Sequence, residues 1–256
     1  MGGEIARACA VRLRKAYDLV AVCDTDGAKA LDLSRSLKKV RVMKLDELIR
    51  KCDLVVEAAS ASVSGAVVEK CVRRRKDCLV MSVGGLLGKE RVLKRALARG
   101  VRVYIPSGAL AGIDALKSAA AGRIDSVTLT TRKPPKGLEG APYLKEKGIS
   151  LAGITGEVTV FEGSAAAAVK AFPANINVSA VLSLAGIGAK KTLVKIVASP
   201  EYTKNIHEVE VAGDFGRITA RTENVPSPRN PKTSGLAIYS AIATLENIAR
   251  SVRIGT

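Results

Sequence analysis

The residues of the first hundred positions whose types and spacing could do chemistry are small or acidic, and each falls where an apolar run ends. Asp24 closes the run LVAVCD (19–24), about twenty residues after Gly2 and Gly3. A carboxylate in that position accepts hydrogen bonds from both hydroxyls of a ribose and repels a 2′-phosphate, so it suits NAD or NADP and favours NAD. A surface aspartate in the turn Asp24-Thr25-Asp26-Gly27 is the alternative reading. Ala58, Ala59 and Ser60 end a second apolar run with residues small enough to let a cofactor approach the backbone, and Ala59 is the central candidate. Gly84 and Gly85 follow a third run, where turn formation alone also explains them. Met1-Gly2-Gly3 leads straight into a helical pattern, so at most the last glycine of a GxGxxG fingerprint is present. The expectation is that the strand before that fingerprint, and most of its loop, are missing from this sequence. Gly2 is then the remaining candidate for contact with a pyrophosphate.

Positioning these residues requires a sheet whose strands end together, and the pattern from residue 4 to about 105 supplies one. EIARACAVRLRK reads as a helix, LVAVCDTD as a strand and GAKALDLSRSL as the next helix. LDELIRKCD is helical, and DLVVEAAS is a buried strand. GAVVEKCVRRRK places Val67, Val68, Cys71 and Val72 on one helical face, with the basic run on the other. CLVMSVGGL and GVRVYIPSG are further strands on either side of the helical KERVLKRALARG. Short strands joined by helices predict parallel pairing.

After Pro106 the period changes to two. SVTLTTR, EVTVFEG, TLVKIVA and HEVEVAGDFGRITARTE alternate apolar and polar residues, with His207, Val209 and Val211 opposite Glu208, Glu210 and Ala212, which predicts an antiparallel, half-buried sheet. Segments 110–122 and 163–188 are expected to be helical, as is 234–252, where Ile238, Ile242, Leu245 and Ile248 recur near 3.6. The fold class is therefore α/β, a Rossmann-like parallel sheet with helices, followed by a mixed α+β part. Residues 1–105 form the NAD(P)-binding domain and 106–256 the catalytic and dimerisation domain, with the final helix packing back on the first.

Composition narrows the class. The chain has 256 residues, enough for one large or two modest domains with their own cores. No apolar run approaches the ~18–20 residues of a membrane span, and the start lacks the apolar stretch of a secretory leader, so a cytoplasmic location is expected. Cys9, Cys23, Cys52, Cys71 and Cys78 are odd in number and irregular in spacing, which supports neither a disulfide framework nor a metal site; they are expected to fill apolar space. A net charge of +17 raises nucleic acid as a partner. The basic residues are nevertheless spread along the chain, and aromatic residues, the stacking platforms for single strands, are only 3% of it. A basic surface equally attracts anionic substrates.

Four segments of the second half resemble the L-aspartate dehydrogenase family: PSGALAGIDAL (106–116), FPANINVSAVLSLAGIG (172–188), NIHEVEVAGDFG (205–216) and ENVPSPRNPKTSGLAIYSAIATL (223–245). RKPPKG and VFEGSA, between them, also match. The resemblance implies NAD(P)-dependent oxidation of L-aspartate to iminoaspartate, which hydrolyses to oxaloacetate and ammonia or feeds NAD biosynthesis, and it implies a homodimer. By resemblance the catalytic histidine is His207, the only histidine in the chain. The nicotinamide-contacting asparagine is Asn177, with Asn175 next, and the cofactor-contacting alanine is Ala109, with Ala111 open.

Those assignments make chemical sense. Hydride loss from an amino-bearing carbon calls for a base titrating near neutrality, which a histidine supplies, although a histidine at the start of a strand can also simply orient its neighbours. Asn177 can donate and accept through one amide, or cap a helix. A dicarboxylate substrate needs cationic or amide donors, and Lys232, with Thr233 and Ser234 at a helix start, is a candidate, as is a solvated loop lysine in its place. The competing readings are another amino-acid or semialdehyde oxidoreductase of similar build, and a non-catalytic basic binding protein that salt-dependent DNA binding without NAD binding would reveal.

Overall fold

The computed structural model describes residues 1–37, 40–173, 176–227, 230–252 and 254–256. The chain forms two compact units, Met1–Pro106 with Ile238–Arg253, and Ser107–Ala237 with Ile254–Thr256.

The first unit alternates helices and short strands: α1 (Gly2–Val11), β1 (Ala21–Val22), α2 (Gly27–Ser36), β2 (Arg41–Val42), α3 (Leu45–Lys51), β3 (Leu54–Glu57), α4 (Ala61–Arg73), β4 (Asp77–Val80), α5 (Glu90–Ala98) and β5 (Val103–Tyr104). Among the described residues every strand pair of this unit is parallel: β1 with β2, and β3 with β4 with β5. The predicted parallel pairing is found, and β2 is an element the apolar pattern did not reveal, since both of its side chains are exposed. α2 begins where Asp26 accepts hydrogen bonds from the Ala28 and Lys29 amides, a side-chain cap on the first turn. α4 buries Val67, Val68, Cys71 and Val72, the stripe expected from its sequence. Arg73, its last residue, is exposed, as are Arg74 and Arg75 after it. Gly65 and Gly85 are the close-packing points of this unit: a β-carbon on Gly85 would lie 2.0 Å from the Ala61 carbonyl oxygen. Gly85 therefore seats the 3-10 turn Val83–Leu86 on α4, which is the reason for a glycine there.

The cysteines divide. Cys9, Cys71 and Cys78 are buried and fill apolar space as expected, whereas Cys23 is exposed, because it follows the end of β1 where the chain turns outward.

The second unit contains α6 (Ile113–Ala119), β6 (Ile124–Lys133), α7 (Pro142–Lys147), β7 (Val158–Ser164), α8 (Ala165–Ala171), α9 (Ile176–Ala185), β8 (Leu193–Ala198), β9 (Asn205–Gly213), β10 (Gly216–Asn224) and the short hairpin β11 (Pro226–Ser227) and β12 (Asn230–Ser234). Five strands form one sheet in the order β10-β9-β6-β8-β7. All neighbours are antiparallel except β6 and β8. The purely antiparallel expectation is corrected on that pair. Period-two alternation reports one buried face and is blind to strand direction, and the chain between β6 and β8 is long enough for a crossover. The core is the apolar face of this sheet, Val127, Leu129, Val194, Ile196, Val209 and Val211, covered by Leu116, Ala165, Ala168, Leu182 and Phe172. A register shift between Thr159 and Phe161 turns both Val160 and Phe161 inward, and Phe161 then meets Tyr143 edge-on at 5.3 Å between ring centroids.

α10 (Gly235–Ala249) follows β12 directly. From Ile238 onward it belongs to the first unit, where it buries Ile238, Ala241, Ile242 and Leu245. Tyr17 donates its hydroxyl to the Leu245 carbonyl at 2.7 Å, and Arg12 pairs with Glu246 at 2.7 Å.

Candidate functional site

In the first unit, the small residues ending β3 lie against the start of α1. A β-carbon on Gly2 would meet the Ala58 side chain at 3.5 Å, so Gly2 and the Ala58-Ala59-Ser60 segment line the same small space beside a helix N-terminus. The absence of bulk on both sides, at the positive end of a helix, fits a pyrophosphate. What holds that segment in place is Glu57, which the sequence reading passed over. Its carboxylate is 4% exposed and accepts from the Ala59 amide at 2.8 Å and the Ser82 amide at 3.1 Å. It thus ties the ends of neighbouring strands β3 and β4 together, a charge kept indoors by two backbone donors. The signal was available: an acidic residue at the end of an apolar strand with inward phase. Asp24 stands exposed just past β1, with its Oδ1 accepting from the Asp26 amide at 2.9 Å, so the turn reading and an outward-facing carboxylate are both true of it.

In the second unit, His207 lies on β9 and faces the core side of the sheet at 6% exposure. The antiparallel register sets it directly opposite Thr131 of β6 on one side and Thr222 of β10 on the other. Its Nδ1 lies 3.1 Å from the Thr131 hydroxyl. The ring does not titrate near neutrality as expected. Burial, and after it the positive charge of Lys133, push its pKa from 6.5 down to about 3, so the imidazole is neutral throughout the physiological range. Burial likewise lowers Lys133 to about 8. Lys133 is the last residue of β6, two positions beyond Thr131 and on the same face. Its carbonyl accepts from the buried Ser199 at 3.3 Å, and its stem passes Gly137.

A second network carries the loop before α6. Thr222 donates its hydroxyl to the Ala109 carbonyl at 2.9 Å and lies 3.4 Å from the His207 carbonyl. The Asn224 amide donates to the same Ala109 oxygen and to the Thr222 hydroxyl, both at 3.2 Å, and accepts from Ser234 at 2.8 Å. The structure therefore brings Ala109 and His207 together through Thr222. Ala111 follows on the same loop, half-buried. Gly108 and Gly112 give the loop its shape with φ of +67° and +80°, and a β-carbon on Gly112 would sit 2.9 Å from that of Ala220.

Asn177 is exposed in the first turn of α9, inside the helix rather than in front of it, so it does not act as the residue that caps it. Asn175 lies outside the described residues. Lys232 and Thr233 fall in β12, whose last residue, Ser234, stands directly before α10, so the helix start expected there is found with a short strand leading into it; the side chains of Lys232 and Thr233 lie outside the described part. Thr131, Lys133, Thr222, Asn224 and Glu57 are the residues that sequence reasoning missed. The threonines and Lys133 become visible only once register places them around His207.

Residues 1–106 match the family model of the homoserine dehydrogenase NAD binding domain, and residues 114–248 match that of the aspartate dehydrogenase C-terminal domain. An L-aspartate dehydrogenase of Methanosarcina acetivorans is 48% identical over all of this chain and 96% of that protein. The L-aspartate dehydrogenase 3 of Bordetella bronchiseptica is 39% identical over 99% of this chain and 95% of its own length. Among solved structures, an aspartate dehydrogenase of Thermotoga maritima superimposes with a TM-score of 0.72 at 26% identity, covering 93% of this chain and all of that one. A homoserine dehydrogenase of Thiobacillus denitrificans, at 14% identity and a TM-score of 0.60, shares the fold. With both halves matched in order and near-complete coverage at close to half identity, the chain belongs to the L-aspartate dehydrogenase family.

Proposed function

We propose that the chain oxidises L-aspartate to iminoaspartate with NAD or NADP, the imine then hydrolysing to oxaloacetate and ammonia, and that His207 is the base. The observation that carries this reading is the position of His207, fixed on Thr131 in a chain of this family; its low basicity in the free chain is unfavourable for a base, and a bound carboxylate offsets the part of it that Lys133 causes. When bound, the nicotinamide accepts the hydride from the substrate Cα. Everything else falls to the protein. If Nδ1–H donates to the Thr131 hydroxyl, Nε2 keeps its lone pair and can take the proton that the substrate ammonium must lose before the hydride departs. After passing that proton on, the same nitrogen can take one from the water that adds to the imine carbon. Burial excludes bulk water from the ring and strengthens the interactions around it.

Gly2, Ala58 and Ala59, held by Glu57, serve the pyrophosphate, and Asp24 serves the adenosine ribose and prefers NAD. Ala109, Ala111 and Asn177 serve the nicotinamide end; Asn175 and Lys232 stay candidates for substrate contact. On this reading residues 1–105 are the nucleotide-binding domain and 106–256 the catalytic one. A cytoplasmic homodimer goes with family membership and is checked by cell fractionation and sedimentation. The test of the activity is a panel of amino acids and semialdehydes, followed as reduction of NAD and of NADP. L-Aspartate should be the preferred substrate, with NAD ahead of NADP and Asp24→Ser narrowing that gap. Preference for another amino acid or a semialdehyde would overturn the assignment.

A further inference from the structure

We propose that Lys133, placed at the end of the core face of β6 beside His207, is the cation that binds a carboxylate of the substrate and so selects a dicarboxylic amino acid. This rests on the activity proposed above. The geometry begins with register. Thr131 is directly opposite His207, and Lys133 is two residues farther along the same face of β6. It is therefore the diagonal neighbour of His207, about 7–8 Å away across an antiparallel pair, a gap that its four-carbon stem can span. The alternation that turns Val127, Leu129 and Thr131 toward the core turns Lys133 the same way, and its strand partner there is Ala198, which is fully buried.

A lysine is an expensive choice for this position. Its ammonium loses much of its hydration and lowers the basicity of the ring it stands beside, and both effects are unfavourable in the unliganded chain. An arriving carboxylate reverses both: it pairs with the ammonium and cancels the positive field on the imidazole. Arg132, one residue earlier, faces the other side of the sheet and pairs with Glu208 at 3.3 Å, so it does not compete for this role.

The test uses the full chain with Lys133→Met and Lys133→Arg, and three readouts. Kinetics with L-aspartate should show KM raised at least tenfold in the methionine variant, with kcat changed far less and partial recovery in the arginine variant. Calorimetric titration with succinate, which has both carboxylates and no amine, should show the same loss of affinity while NAD binding is unchanged. The resonance of the single histidine should titrate at higher pH in the methionine variant. Urea midpoints of the parent and both variants, measured alongside, separate loss of folding from loss of binding. Unchanged KM and unchanged succinate affinity would overturn the proposal while leaving the dehydrogenase reading intact. Lys133-dependent succinate binding in a parent that does not oxidise aspartate would sustain the carboxylate site and sink the activity. A parent that neither turns over aspartate nor binds succinate overturns both.

Discussion

At the scale of single residues, the site depends on what surrounds His207 more than on the histidine itself. A lone imidazole has two tautomers of similar energy, and only one leaves Nε2 able to accept a proton. The 3.1 Å contact with Thr131 supplies a partner for that tautomer, because the hydroxyl can accept from Nδ1–H. Thr131→Val keeps shape and burial but removes the partner, so kcat should fall about fivefold, the equivalent of one hydrogen bond of about 1 kcal/mol, with little change in NAD affinity. Rapid-mixing measurement of NADH formation checks it, and an unchanged rate would mean that the tautomer is set elsewhere. His207 itself was legible in the sequence as the single histidine in a recognisable segment. Its depressed basicity was not, because that arises from burial and, after it, from Lys133, which only the fold brings to it.

At the scale of elements, strands position chemistry through register and through the loops at their ends. Glu57 illustrates the second. By accepting from the amides of Ala59 and Ser82 it joins the ends of β3 and β4. Glu57→Leu leaves two backbone donors without a partner, at about 1–3 kcal/mol each, and should both lower the urea midpoint and weaken NAD binding. Glu57→Gln, able to accept one of the two, should fall between. If the leucine variant loses stability yet binds NAD normally, Glu57 serves the fold alone. The helices and parallel strands of the first unit could be read from period and burial: α4 buries its predicted stripe, and α10 buries Ile238, Ile242 and Leu245 of the four expected residues, leaving Ile248 half-buried. β2 could not, because its two residues are exposed and only backbone pairing with β1 identifies it. The parallel β6–β8 pair was equally hidden, since side-chain alternation is the same whichever way a neighbouring strand runs. Thr222 and Asn224 carried no sequence signal at all; they matter because β10 lies beside β9 and reaches Ala109.

At the scale of the whole molecule, the buried histidine links folding to acidity. Its folded pKa, about 3, lies below the ordinary 6.5, so the unfolded chain takes up a proton between those values that the folded chain refuses. The stability this group contributes is complete above pH 6.5 and is lost as pH falls toward 3. Urea midpoints measured over that window should decline, and the decline should be shallower in His207→Asn. Identical slopes in parent and variant would show that the ring is more open to solvent than its 6% exposure indicates. The overall charge of +17, which at first suggested a polyanion partner, also suits a protein whose substrate and cofactor are both anionic.

The most direct test of the central claim compares the parent chain with His207→Ala for L-aspartate-dependent reduction of NAD, with NAD affinity measured separately. A kcat lowered at least 100-fold with NAD binding preserved is the expected result for loss of a general base. Aspartate oxidation at the parental rate without the imidazole would contradict it.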